Sequence, residues 1–116
     1  MKPTRTLYRP VNDVELRLIK ELNFQAFPPR LPEQPIFYPV TNEEYATQIT
    51  KDWNVPRYGC GFVTRFEVDS QYLQKFKVQN VGGHLHDELW IPSEELDEFN
   101  RMIVGKIEVI GEYRKE

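Results

Sequence analysis

The chain has 116 residues and a formal net charge of −3, a length typical of one domain, so we expect a single domain over 1–116. Hydrophobic residues make up 40% of the chain and charged residues 28%, as in ordinary globular proteins. No apolar run could span a membrane or serve as the core of a signal peptide, and the single cysteine excludes an intrachain disulfide. These features predict a cytoplasmic protein with no membrane association. The acidic balance argues against nucleic acid as the main partner.

The N-terminal segment predicts a strand followed by a helix. Leu7–Val11 is a short strand in which Pro10 belongs at the end or on an edge, because proline has no N–H for a ladder. Asn12 and Glu15 form a capping-box pattern. Apolar residues at helical spacing then predict a helix over Asp13–Leu22.

A proline-rich loop comes next. Residues 25–35 contain four prolines, which exclude a helix and a central strand. A long stiff loop in a small domain is typically a binding loop or a lid, and Phe27 and Leu31 favour an ordered one. Ile36–Val40 predicts a short extended segment after it.

The middle of the chain predicts a second helix. Thr41 and Glu44 form another capping-box pattern. Apolar and aromatic residues at helical spacing extend the helix over Asn42–Trp53, and Pro56 lies just beyond its predicted end.

The C-terminal half predicts further short strands and a third helix. The strands are expected over Phe62–Val68, Phe76–Val81, Glu88–Ile91 and Lys106–Tyr113. The helix is opened by Pro92 and Ser93 and ended by Gly105. Three helices with about six short strands predict an α+β fold with a small mixed or antiparallel sheet.

Four polar or aromatic side chains are candidate site residues. Arg9 is either a surface arginine or a guanidinium fork for phosphate or carboxylate. Glu88 is either a solvated acid or a carboxylate that orients a sugar hydroxyl and stabilises a cationic transition state. Tyr38 and Tyr45 either belong to the core or stack on an adenine or nicotinamide ring.

Histidines and the lone cysteine offer two other chemistries. On a strand, His84, His86 and Glu88 share one face and would give three metal ligands. No fourth ligand is evident, so no metal is expected. Cys60 has no nucleophile signature around it and is expected to be a buried structural cysteine.

Four segments carry a resemblance over nearly the whole chain: Leu7-Tyr8-Arg9-Pro10-Val11, the block from Phe27 to Val40, Asn42-Glu43-Glu44-Tyr45-Ala46 and Glu88-Leu89-Trp90-Ile91-Pro92. They resemble a family of small bacterial proteins that often carry an ADP-ribosylation/crystallin label. The order of the elements is similar to that of a mono-ADP-ribosyltransferase core, and the expected fold is ADP-ribosyltransferase-like.

The resemblance implies an NAD-binding enzyme with NAD as co-substrate. Arg9 would hold the NAD phosphate or ribose, and Tyr38 or Tyr45 would stack on nicotinamide. Glu88 would bind the ribose hydroxyl and stabilise the oxocarbenium-like transition state. His86 stands where many such enzymes place a second Glu or Gln, and the middle strand has no Ser-Thr-Ser motif. Glu88 and Arg9 are thus the expected catalytic residues, and Arg9, Tyr38, Tyr45 and His86 the expected cofactor-binding residues.

A non-catalytic binding or regulatory module is the alternative. It would use the proline-rich 25–40 loop as a surface for a protein partner, because a stiff loop loses little entropy on binding. This alternative predicts an exposed apolar patch around Phe27, Leu31 and Ile36.

Overall fold

The computed structural model describes residues 3–83 and 86–115 and has the predicted α+β architecture. Its helices in these residues are α1 (Asp13–Glu21), α2 (Glu43–Ile49), α3 (Val55–Tyr58), α4 (Ser70–Leu73) and α5 (Leu96–Arg101), with a π-helical turn over Thr50–Asn54 and a 3-10 turn over Ser93–Glu95. Its strands are β1 (Thr4–Val11), β2 (Ile36–Phe37), β3 (Cys60–Asp69), β4 (Val78–Asn80), β5 (Asp87–Leu89), β6 (Ile91–Pro92) and β7 (Ile103–Arg114). None of the described helices is long and apolar enough to cross a membrane.

The central sheet is antiparallel. Its strand order is β1-β3-β7, and β2 pairs with β6 and β4 with β5 in two smaller ladders. The bridging residue Val40 pairs with Tyr8 on one side and with Glu88 on the other. The segment around Val40 therefore lies between β1 and β5, which are distant in the sequence.

Alternation along the strands gives the sheet two buried faces. On β1, Leu7 and Val11 are buried in the larger core, which α1, α4 and α5 help to close. Tyr8 points the other way, into a smaller cluster that Val40, Ala46 and Val63 form under α2. Because the side-chain period of a strand is two, each residue of β1 has a determined face.

The second helix continues beyond its predicted end. After α2, the chain makes the π-helical turn and then α3, which ends at Gly59 in a left-handed conformation (φ 82°). Pro56 lies in the first turn of α3, where its missing N–H does little harm. The prediction that the helix ends before Pro56 is wrong, because a proline at this position is compatible with a new helical turn.

Close packing against β3 accompanies the π-helical turn. A Cβ on Gly61 would lie 2.7 Å from Thr50 Cγ2 and 2.9 Å from Asn54 Cβ. Both distances are shorter than real side chains allow, so this turn and β3 approach as closely as they do only because residue 61 is glycine. We call α2, the π-helical turn and α3 together the helical arm.

Gly105 does not end the third helix. The helix α5 stops at Arg101, and β7 has already begun at Ile103. Gly105 has φ +81° and lies in β7, beside a register irregularity against Arg65–Glu67 of β3. The glycine therefore serves a β-bulge, a common use of the left-handed conformation within strands.

Candidate functional site

A break between two neighbouring strands opens the candidate site. Tyr8 and Val40 exchange both backbone hydrogen bonds, at 2.9 and 2.8 Å. In an antiparallel ladder the next such pair would be Pro10 and Tyr38. Pro10 has no N–H, and no backbone hydrogen bond joins residues 10 and 38 in the described chain. The two strands part at this point.

A cavity of about 460 Å³ lies at the break. We call it the Glu88 cavity, and its lining residues are Arg9, Pro10, Tyr38, Val40, Ile49, Asn54, Glu88 and Trp90. Three residues predicted from the sequence (Arg9, Tyr38 and Glu88) therefore line one cavity. The strands form one wall, and the helical arm forms the other through Ile49 and Asn54.

Two donors hold the Glu88 carboxylate in a defined orientation. The Trp90 indole N–H donates to Glu88 Oε1 at 2.7 Å, and the Tyr45 hydroxyl donates to Oε2 at 3.3 Å. Trp90 follows Glu88 by two residues and so shares its face of the strand. Since an ionised carboxylate only accepts hydrogen bonds, these donors keep its negative charge at the cavity wall.

The aromatic side of the cavity is open to solvent. The Tyr38 and Trp90 rings meet edge to face with centroids 6.3 Å apart. Their side chains are 40% and 42% exposed. Two partly exposed aromatic rings beside a fixed carboxylate suit a flat ligand that is polar or positively charged.

Tyr45 and His86 support Glu88 from behind. Burial, the neighbouring Glu88 charge and the Glu88 hydrogen bond raise the pKa of Tyr45, so its hydroxyl keeps its proton and remains a donor. The His86 ring stacks on Tyr45 at 4.5 Å. Its Nδ1 accepts from the Gly83 N–H at 3.1 Å, and Gln48 Oε1 lies 3.2 Å from Nε2, so this arrangement requires the proton on Nε2.

His86 is not among the residues that line the Glu88 cavity. It lies instead on a smaller cavity of about 190 Å³, whose lining residues also include Tyr45, Gln48 and Trp53. In this geometry His86 positions Tyr45 and has no direct access to the side of the Glu88 cavity that Tyr38 and Trp90 form.

Arg9 lines the cavity, but its guanidinium is already paired. Its Nε and Nη2 donate to the two Glu15 carboxylate oxygens at 2.6 and 2.9 Å, and it lies 4.5 Å over the Phe37 ring. The Glu15 carboxylate is therefore paired with Arg9. The backbone N–H of Glu15 donates to the side chain of the N-cap residue Asn12 at 2.8 Å. Arg9 alternates with Tyr8 along β1, whereas Glu88 is in register with Tyr8 through Val40. The guanidinium and the Glu88 carboxylate therefore point to opposite faces of the sheet.

A second arginine lies close to this ion pair. Arg30 donates from Nη2 to the Ile36 carbonyl at 3.1 Å, and its guanidinium is 5.9 Å from the centre of the Phe37 ring. Burial and the Arg9 charge lower the pKa of Arg30. Two guanidiniums thus lie near the Phe37 ring, and the Glu15 carboxylate pairs with that of Arg9.

Other candidate residues lie apart from this cavity. His84 lies outside the described residues, so the structure does not describe the predicted set of three metal ligands, and the described residues contain no other such cluster. Cys60 is buried where β3 begins. A larger, open depression of about 650 Å³ lies between α2 and Tyr113, but no predicted site residue lines it.

The proline-rich loop is partly built into the core. Phe27 is 1% exposed, and its backbone N–H and carbonyl bond to the Asn100 side chain at 2.9 and 3.0 Å. Leu31 is 56% exposed, and Ile36 is half-buried. Phe27 is therefore buried and does not contribute to the exposed apolar patch that was expected for a partner surface.

Trp90 and Asn54 line the cavity, although neither was predicted from the sequence as a site residue. Trp90 could have been found, because a residue two positions after Glu88 shares its strand face. Asn54 could not, because the π-helical turn that brings it to the cavity has no recognisable local pattern.

Comparisons with known proteins assign the chain to no group. No protein-family model matches it, and no curated protein sequence matches it.

Proposed function

We propose that the Glu88 cavity binds a pyridine dinucleotide of the NAD type and that the protein is an ADP-ribosyltransferase-like enzyme. The observation that carries the proposal is the Glu88 carboxylate, fixed by Trp90 and Tyr45 at the wall of an aromatic cavity. A carboxylate held ready before the reaction stabilises a developing positive charge without reorganisation.

The chemistry would use the opposite charges of ligand and site. The nicotinamide ring of NAD is a flat cation, and it would lie against Tyr38 and Trp90. As the bond between the ring and the ribose breaks, nicotinamide leaves and the ribose becomes oxocarbenium-like. Glu88 would accept a hydrogen bond from a ribose hydroxyl and stabilise that charge.

Arg9 has a conditional place in this proposal. Its guanidinium lies on the face of the sheet opposite the Glu88 carboxylate, so it would hold a phosphate of the dinucleotide only if the ligand extended through the break between Pro10 and Tyr38 and displaced the Glu15 carboxylate, which now fills the fork. Arg9 otherwise contributes by joining β1 to α1 beside the cavity.

The proposal is tested by combining binding with turnover. NAD is titrated into the isotope-labelled protein by NMR, and nicotinamide release with water as acceptor is followed in the same samples. We expect saturable shifts at residues 38, 88 and 90. Glu88→Gln should retain those shifts and lower nicotinamide release about 10²–10³-fold, the usual loss on removal of one electrostatic stabilising group.

Glu94→Gln is the matched control, because Glu94 is an exposed carboxylate on the 3-10 turn outside the cavity. It should behave as the wild type does in both measurements. The absence of saturable shifts at millimolar NAD would overturn the proposal at the binding step. Equal turnover in Glu88→Gln and Glu94→Gln would overturn the role of Glu88.

A further inference from the structure

Asn54 presents an unused amide to the Glu88 cavity. It lies at the end of the π-helical turn, is half-buried and lines the cavity opposite the strands. Its side chain makes no hydrogen bond to any other residue of the described chain (3–83 and 86–115). A partly buried amide without a partner is unfavourable unless water or a ligand satisfies it.

The opposite wall carries unpaired peptide groups. Pro10 has no N–H to offer the Tyr38 carbonyl, and in the described chain no backbone hydrogen bond joins the Tyr38 N–H to Pro10, so both peptide groups of Tyr38 that face β1 lack the pairing that Val40 has with Tyr8. The cavity therefore has a donor and an acceptor on each side: the amide of Asn54 on the helical arm and the backbone of Tyr38 on the strand.

We propose that Asn54 is a specificity residue that recognises the carboxamide of a pyridine carboxamide, the flat group at one end of the ligand. This inference rests on the proposed function and goes further by assigning the recognition of one functional group to one side chain. A primary carboxamide both donates and accepts, and it would complete the hydrogen bonds of Asn54 and of the Tyr38 peptide.

The π-helical turn explains why this residue reaches the site. Such turns are rare and occur often at functional sites. Here the Thr50 hydroxyl donates to the Ala46 carbonyl at 2.8 Å within the arm, and Gly61 allows β3 to approach Asn54. The backbone of Asn54 is therefore held in place by contacts that do not involve its amide.

The test compares two ligands that differ in one functional group. Nicotinamide has the carboxamide, whereas 3-acetylpyridine has a carbonyl and a methyl group of similar shape. The dissociation constants of both are measured by NMR titration for the wild type, Asn54→Leu, Asn54→Asp and Lys51→Gln. Lys51→Gln is the control, because Lys51 is an exposed residue of the same turn that lies over Tyr113, away from the cavity.

We expect the wild type and Lys51→Gln to bind nicotinamide about 10-fold more tightly than 3-acetylpyridine, since a site that bonds to an N–H discriminates against a ligand without one. Asn54→Leu should bring this ratio close to one. Asn54→Asp, which still accepts a hydrogen bond from the carboxamide, should keep most of the preference. Because the Asn54 side chain bonds to no other residue within the described ranges, both variants should melt near the wild-type temperature.

Three outcomes would overturn the inference. They are a wild type without a preference, an Asn54→Leu variant that keeps the preference, and an Asn54→Leu variant that binds both ligands equally more weakly, as expected for a purely structural residue. If any of these occurs while NAD still binds, the proposed function stands and only the role of Asn54 is lost. If the wild type binds neither pyridine nor NAD, both proposals are lost.

Discussion

At the scale of single residues, the Glu88 carboxylate determines the chemistry of the site through two neighbours. Trp90 and Tyr45 donate to it from different elements, and His86 stacks on Tyr45. The four side chains form one connected group from the helical arm to β5. Their arrangement makes the charge at Glu88 measurable through Tyr45.

Glu88→Gln should lower the pKa of Tyr45 toward the ordinary phenol value. The Glu88 charge and hydrogen bond both raise this pKa, in addition to burial, and glutamine removes the charge. In the wild type the folded state keeps the phenol proton at a pH where the unfolded chain has lost it. Stability therefore falls as pH rises from about 10 through the folded pKa, and this loss should shrink in the variant.

NMR of the tyrosine Cζ resonances during alkaline titration measures this shift. Tyr72 is the internal control, because burial and its own neighbour Glu95, whose Oε2 lies 3.4 Å from the Tyr72 hydroxyl, raise its pKa. Its titration should not move in Glu88→Gln. An unchanged Tyr45 titration would mean that the 3.3 Å contact with Glu88 is not maintained in solution.

Glu15→Gln tests whether Arg9 is available to a ligand. The change removes the charge that fills the Arg9 fork, so we expect stability to fall by about 1–3 kcal/mol. If a phosphate of NAD reaches the Arg9 face of the sheet, NAD should also bind severalfold more tightly. Urea unfolding and NMR titration measure the two effects. The exposed Glu21→Gln on the same helix should change neither, and lower stability with unchanged NAD affinity would exclude Arg9 as a phosphate contact.

At the scale of elements, the missing N–H of Pro10 opens the cavity. Pro10→Val should supply a donor for the Tyr38 carbonyl, and valine is well suited to a strand. We expect the ladder to extend by one pair and the cavity to narrow, with weaker binding of nicotinamide. Hydrogen exchange should show a protected amide at position 10.

Pro29→Val is the control, because Pro29 is exposed on the proline-rich loop. It should leave nicotinamide affinity unchanged. A new amide at position 10 that exchanges as fast as an unstructured peptide, with unaltered affinity, would show that something other than Pro10 keeps the strands apart.

Local sequence patterns predicted the elements better than their junctions. Asn12 does cap α1, but the cap of α2 is Asn42 and not Thr41. Thr41 and Asn42 both have a side-chain oxygen that can cap a helix. Which of these two neighbouring residues becomes the N-cap is decided only by the packing of the helix. The π-helical turn was not predictable, because it depends on close contact with Gly61 of a strand that follows it.

The site was predictable only in part for the same reason. The residue types and the resemblance to an ADP-ribosyltransferase core made Arg9, Tyr38 and Glu88 candidates, and a strand pattern indicates only which residues alternate. The face that each one occupies depends on register between distant segments, here Tyr8 with Val40 and Val40 with Glu88. Sequence periodicity alone does not contain that register.

At the scale of the whole molecule, the proline-rich loop is fastened to the core at one end. Phe27 contacts Phe37 and Phe66 with ring centroids 5.0 and 4.8 Å apart, and Asn100 bonds to its backbone. The Arg9 guanidinium lies over the ring of Phe37, which belongs to the same phenylalanine cluster. The loop and the cavity therefore depend on a common set of aromatic contacts.

Phe27→Ala should destabilise the protein by about 3–5 kcal/mol, as expected for the loss of a buried phenylalanine. Leu31→Ala, on the exposed part of the same loop, should change stability by no more than about 0.5 kcal/mol. Urea unfolding of both variants measures the difference. Similar small losses for the two would mean that the loop is not anchored through Phe27.

The π-helical turn has a consequence for how this protein can diverge. It amounts to one residue more than a regular helix needs over Thr50–Asn54. Because a π-helical turn accommodates one extra residue, deleting Asn54 would restore ordinary helical winding while the residues before and after it kept their positions. The cavity would then lose the Asn54 amide while the strands and Glu88 stayed in place. Loss of one codon, with no change at any other site residue, would suffice to change which ligands the cavity accepts.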